Sequence, residues 1–226
     1  LRPLQQSGIT NNYTAVTYSA QYKKDVVLKL LRDTTNEVAA LRYLNGEGCV
    51  QLIDYNQDTS CLLLEYIQPG TSLKHSFPLL DEYALEVVST LIKKLHTPKP
   101  YPIPECFDTV YQWLQPLQQD TSSSIPAELL KKAQYLAKKL EKKDQEHLLL
   151  HGDLHHENIL KTPDTWIAID PKGVVGQKEF EVIRFIMNPI PALLTECNAH
   201  EIITKRIRAF EKTFGSVSYT HLRAHE

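Results

Sequence analysis

The chain has 226 residues, enough for one large domain or two lobes sharing an interface. Its 42% hydrophobic and 23% charged residues are those of a folded, soluble protein, and 25 Lys and Arg against 27 Asp and Glu give none of the positive field that nucleic-acid binding needs. No apolar run approaches the roughly 18 residues that span a membrane, the start Leu1-Arg2-Pro3 has no signal-peptide pattern, and Cys49, Cys61, Cys106 and Cys197 show neither zinc spacing nor disulfide density.

A cytoplasmic protein with no membrane and no nucleic-acid partner is therefore expected. The chain opens without an initiator methionine and its single methionine is Met187, so a truncated N-terminus is expected as well. In chain order, residues 12–20 and 25–31 carry β-branched and aromatic residues on either side of the polar Gln21 to Lys24, which predicts a hairpin with Lys29 inside its second strand. Thr34 to Asn45 reads as a helix, with Thr34 and Glu37 spaced as a capping box and Val38, Leu41 and Leu44 forming an apolar stripe.

Val50 to Tyr55 and Cys61 to Ile67 are two further strands, followed by the turn Gln68-Pro69-Gly70. That turn divides a β-rich lobe, 1–68, from a mainly helical one, 69–215. In the second lobe Leu79 to His96 and Ala127 to Lys143 are predicted helices, separated by a proline-punctuated loop at 97–104 and the Thr121-Ser122-Ser123-Ser124 loop. Leu129, Ala133, Leu136, Ala137 and Leu140 form the expected inward face of the later helix, leaving the lysine pairs at 131-132, 138-139 and 142-143 as a solvated outer face. Residues 216–226 lack an apolar stripe and are expected to be a non-native tail.

The chemistry concentrates in His151-Gly152-Asp153-Leu154-His155-His156-Glu157-Asn158, after the apolar Leu148-Leu149-Leu150. Phosphoryl transfer needs a carboxylate to take the acceptor hydroxyl's proton and an Asn or Asp to help hold magnesium on the phosphates. Asp153 and Asn158 stand at the required spacing, and Asp170 follows at the end of the apolar strand Trp166-Ile167-Ala168-Ile169 as a second magnesium ligand. Two other readings compete: Asp153 and Asp170 as turn residues beside strands, and His151, His155 and His156 as zinc ligands, although no His-Glu-x-x-His arrangement is present.

This loop, with Ile169-Asp170-Pro171-Lys172-Gly173-Val174-Val175-Gly176 and Phe180-Glu181-Val182, resembles the aminoglycoside phosphotransferases, nearest to the streptomycin 6-phosphotransferase branch of aminoglycoside/hydroxyurea resistance kinases. The strong likeness covers residues 148–189. It implies an α+β, protein-kinase-like, two-lobed fold, ATP and magnesium as cofactors, and a hydroxyl of a cationic antibiotic such as streptomycin as acceptor. The branch carries Asp where this chain has Glu181, which leaves that acid's role open.

Lys29 in Val-Val-Leu-Lys-Leu resembles the phosphate-gripping lysine of kinases, with Glu37 as its expected partner or merely the capping-box acid of Thr34. Cys61 to Ile67 resembles the hinge, where the Glu65 carbonyl and the Ile67 N–H would meet adenine, or it is a plain core strand. Ser7 to Asn12, with Gly8 and Asn11, would be the phosphate-covering turn or an ordinary hairpin turn. His155 and Lys172 are within reach of the transferred phosphate or are structural, and Glu157, Glu179, Glu181 and Glu196 could meet a cationic acceptor. A kinase of an amino alcohol or sugar derivative, and an inactive nucleotide-binding relic, are the alternative functions.

Overall fold

The computed structural model describes residues 2–6, 13–30, 35–119, 125–140 and 146–215. Five strands form an antiparallel sheet: β1 (Arg2–Gln6), β2 (Tyr13–Ser19), β3 (Lys24–Leu30), β4 (Leu52–Asn56) and β5 (Cys61–Glu65), in the order β1-β2-β3-β5-β4. The expected hairpin is β2–β3. β1 has no alternating apolar signal of its own in the sequence, and its pairing is supplied by the free edge of β2.

Across the sheet Lys29 stands opposite Leu62 and Val27 opposite Leu64, so these side chains share one face. That face is covered by α1 (Thr35–Leu44), whose Val38, Leu41 and Leu44 pack into the same cluster as Leu62 and Leu64. Thr34, the proposed cap, lies outside the described residues. Ala40, on another side of α1, packs against Phe107 and Leu149 of the following lobe.

The strand expected from Val50 starts at Leu52 because Cys49 and Val50 are engaged elsewhere. Val50 N–H donates to the Ala168 carbonyl and Ala168 N–H to the Gly48 carbonyl, both at 2.8 Å. The loop after α1 is thereby bonded to the strand that leads to Asp170. Beyond β5, Gly70 adopts φ +68° and donates its N–H to the Lys161 carbonyl; a Cβ there would come within 2.8 Å of the Ile67 carbonyl oxygen, so glycine is required.

The rest of the chain comprises α2 (Asp81–Leu95), α3 (Val110–Gln119), α4 (Ala127–Leu140), β6 (Leu148–Leu150), β7 (Ile159–Lys161), β8 (Trp166–Ala168), β9 (Val174–Gly176), α5 (Ile183–Ile186), α6 (Ala192–Thr195) and α7 (Ala199–Phe214). Strands β6 and β9 pair antiparallel, as do β7 and β8. α2 is the central helix, burying Ala84, Leu85, Val88, Leu91, Ile92 and Leu95 at helical spacing. One apolar cluster runs from Leu62 and Leu64 through Ile67 and α2 to Leu154, Phe185 and Phe210.

α4 departs from the expected face. Leu129 and Leu140 are 60% and 43% exposed, while Leu130, Ala133, Leu136 and Ala137 are partly or fully covered. The helix rests mainly on α3, to which Gln134 donates a hydrogen bond at the Leu117 carbonyl, and one such neighbour covers only a narrow stripe. Lys131, Lys132, Lys138 and Lys139 are exposed as expected. The four cysteines are free.

α7 is fixed by Arg206, whose guanidinium is fully buried, pairs with Asp81, donates to the carbonyls of Phe185, Ile186 and Asn188, and lies over the rings of Phe77 and Phe185. Among the described residues, no helix is long and apolar enough to cross a membrane.

Candidate active site

The sheet supplies Lys29 and the helix over it supplies Glu37. Lys29 Nζ donates to both Glu37 oxygens, at 2.8 and 3.0 Å, and to Asp170 Oδ1 at 2.9 Å. Burial alone would lower the Lys29 pKa, but the charges of Asp170 and Glu37 outweigh it and raise it, so the ammonium stays charged. Burial, helped by the charge of Asp170, raises Glu37 in spite of Lys29. Asp170 sits just past β8 with φ +60°, a left-handed turn that Asp tolerates better than most residues and that aims its carboxylate back at Lys29.

The loop between β6 and β7 carries Asp153 and Asn158. Its path is set by Gly152, at φ +79°, where a Cβ would lie 3.1 Å from both Trp113 and Val174. The buried His151 ring bonds the Ile169 carbonyl through Nε2 at 2.8 Å and accepts the Asp153 N–H on Nδ1. Burial holds its pKa down, so the ring is neutral, with the proton on Nε2. The His151 carbonyl in turn accepts Lys172 N–H and Gly173 N–H, which ties the loop to the segment after Asp170.

Asp153 is held on both oxygens: Lys172 Nζ lies 2.9 Å from Oδ2 and Arg184 Nε donates to Oδ1 at 2.7 Å. Partial burial would raise this carboxyl, yet the hydrogen bonds and charges of Lys172 and Arg184 dominate and hold it below the ordinary range. Asn158 Nδ2 donates to the Asp153 carbonyl at 3.0 Å, which leaves the amide oxygen for another partner. His155 accepts the Glu157 N–H on Nδ1, and its Nε2 stands 4.0 Å from Asp153 Oδ1.

A cavity of about 510 Å³ brings together Lys29, Glu37, Asp153, Asn158 and Asp170, with Asn36, Trp113, His155 and Lys172 also on its walls. Glu65 and Ile67 are not in that lining; they lie where the two lobes join, with Ile67 buried in the main core. Gly8 and Asn11 fall outside the described residues. Glu157 pairs with Lys74 on the surface.

Glu181 is fully buried and accepts hydrogen bonds from His151 N–H at 2.9 Å, Gly152 N–H at 3.2 Å and His96 Nε2 at 3.0 Å. Burial would raise its pKa, but His96 and His151 outweigh that and lower it. The residue at which the sequence departs from its resemblance is therefore the clamp under the loop that carries Asp153 and not a wall of the cavity. Arg184, His96 and Arg206 were not singled out from sequence; the available signal for Arg184 was a lone cation within the apolar run Val182-Ile183-Arg184-Phe185-Ile186.

A five-stranded lobe and a helical lobe, with a lysine–glutamate pair facing a loop Asp, Asn and a second Asp, define the protein-kinase-like class of phosphotransferase fold. Within it, the chain belongs to the aminoglycoside/hydroxyurea antibiotic resistance kinase family, whose model matches residues 15–223. It is 29% identical over 167 residues to streptomycin 3''-kinase of Klebsiella pneumoniae, covering 72% of this chain and 60% of that protein. Streptomycin 6-kinase of Streptomyces griseus is 27% identical over 154 residues, covering 66% of this chain and 50% of that one. The chain thus spans between half and three fifths of these relatives. Among solved structures, amicoumacin kinase hAmiN in complex with AMP-PNP, Ca2+ and Ami superposes with a TM-score of 0.66 at 15% identity, over 95% of this chain and 72% of that one.

Proposed function

We propose that the chain moves the γ-phosphoryl group of ATP to a hydroxyl of a small polar antibiotic, with streptomycin as the first acceptor to test, and does so in the cytoplasm. The observation that carries this reading is Asp153, ionised and held on both oxygens, in one cavity with Asn158, Asp170 and the Lys29–Glu37 pair. Asp153 takes the acceptor's proton as its oxygen bonds to phosphorus. The bond from that phosphorus to the bridging oxygen breaks, and its electron pair leaves with ADP.

The donor set fits magnesium. Among the described residues Asn158 keeps its amide oxygen free by donating through Nδ2, and Asp170 meets Lys29 through Oδ1 alone, so two oxygen ligands remain for an ion completed by phosphates and water. That ion would neutralise phosphate charge. Lys29, kept charged and aimed by Glu37, grips the α- and β-phosphates; Glu65 and Ile67 offer their backbone to adenine at the join of the lobes. Gly8 and Asn11 belong to the same proposal as the cover over the phosphates.

A coupled nucleotide-turnover assay with magnesium, using streptomycin, hydroxyurea and several amino alcohols, tests the reading with Asp153→Asn as control. Turnover stimulated by streptomycin and lost in the variant supports it. Stimulation by an amino alcohol alone would move the acceptor class, and nucleotide binding without turnover with any acceptor would overturn the activity.

A further inference from the structure

Arg184 reaches the reacting carboxylate from α5, on the oxygen opposite to the one Lys172 holds. Its side chain is 54% exposed, and among the described residues only its Nε–H is engaged by a side chain, at 2.7 Å from Asp153 Oδ1. Among the described residues the terminal N–H fork has no partner. The backbone beneath it is fixed, since Asn188 Nδ2 donates to the Arg184 carbonyl and Arg206 holds the carbonyls of Phe185, Ile186 and Asn188.

Lys172 already gives the Asp153 carboxylate one cationic partner, 2.9 Å from Oδ2. Arg184, which is not itself part of the cavity lining, adds a second, so two positive groups meet one carboxylate at the cavity wall, a surplus that favours an arriving anion. The reaction brings one: the phosphoryl group passes between donor and an acceptor oxygen held on Asp153, with charge spread over its equatorial oxygens. A guanidinium anchored by Nε and open at its fork suits bidentate binding of such oxygens.

We infer that Arg184 is a further catalytic residue, bridging Asp153 and the phosphoryl group in flight. This rests on the phosphotransfer reading above. The bonds made and broken are unchanged; Arg184 supplies positive charge that grows in value as the phosphoryl group separates from ADP and approaches the acceptor oxygen.

The test is ADP binding to the full chain with magnesium, with and without aluminium fluoride, which completes a planar mimic of the transferred group. Wild type is expected to bind ADP more tightly when fluoride is added. Arg184→Met should bind ADP alone unchanged, lose at least roughly tenfold of the fluoride-dependent gain and fall roughly 10²-fold in kcat, with Arg184→Lys recovering part of both. Added guanidinium should partly restore the Met variant, which a structural role would not allow. A Met variant that keeps the full gain, a change confined to the acceptor KM, or no gain in a wild type that binds ADP would each overturn the inference. A wild type that does not bind ADP would overturn the nucleotide reading, and the inference with it.

Discussion

Glu181 and His96 form a buried pair at 3.0 Å beneath the loop that carries Asp153, and the same carboxylate holds the N–H groups of His151 and Gly152. Glu181→Ala would leave these donors without their partner in a largely buried site. Each such group costs about 1–3 kcal/mol, so the variant should lose several kcal/mol of stability and most of its activity. Glu181→Gln keeps an acceptor oxygen and should lie between. Urea midpoints and kcat measured together check this; an unchanged midpoint in the alanine variant would rule out the clamp.

Lys29→Met would leave Glu37 and Asp170 facing one another without their shared cation. A hydrogen bond to a charged group contributes about 1.5–3 kcal/mol, so nucleotide affinity should fall roughly tenfold or more. Calorimetric titration of ATP reads this directly. Glu37→Gln, which keeps the lysine but frees it, should show a smaller loss, and equal affinity in all three proteins would remove Lys29 from the phosphate site.

Asp153→Asn should reduce kcat by roughly 10²–10⁴-fold, the range for loss of a general base. It should leave ADP affinity close to wild type, because nothing assigns Asp153 to the nucleotide. Asp170→Asn should instead raise the magnesium concentration needed for half-maximal turnover. Identical metal dependence in the two variants would contradict the division of labour.

His156 titrates far from its ordinary 6.5, at about 3, because burial disfavours the cation and the neighbouring Arg206 and His155 charges oppose it further. The unfolded chain takes up this proton near pH 6.5 while the folded chain does not until about pH 3. Within that window the unfolded state binds more protons, so stability rises with pH and falls on acidification by on the order of 1.4 kcal/mol per unit. Urea midpoints from pH 4.5 upward should show the slope, and His156→Phe, which keeps the stack on Phe185, should flatten it. An equal slope in both proteins would show that other groups control it.

Arg206→Met would strand Asp81 and several carbonyls around a buried site, and breaking one partner of a buried pair costs about 3–5 kcal/mol. A drop in melting temperature well beyond that of any surface substitution is expected. Asp81→Asn should do comparable harm, leaving the buried guanidinium short of its charge.

That Asp153, Asn158 and Asp170 meet in one cavity was legible because they are neighbours in sequence, joined by a short hairpin whose spacing reflects one geometry. Lys29 was legible as a lone cation in an apolar strand. Arg184 and His96 were not, since each meets its partner across tens of residues and sits in a local context that many Arg and His share. The face of α4 was misjudged because periodicity tells which residues align on a helix but not how wide a surface its neighbour offers. β1 was invisible for a similar reason, being a strand made by its partner's edge.

The bonds that join the loop after α1 to β8, and the packing of Ala40 on Phe107 and Leu149, brace the side of the cleft that carries Glu37. Through α1, Glu37 is tied both to the sheet that carries Lys29 and to the segment that carries Asp170. Any opening of the cleft has to contend with those two backbone bonds, so the loop after α1 acts as a strut beside the contact of Lys29 with Glu37 and Asp170.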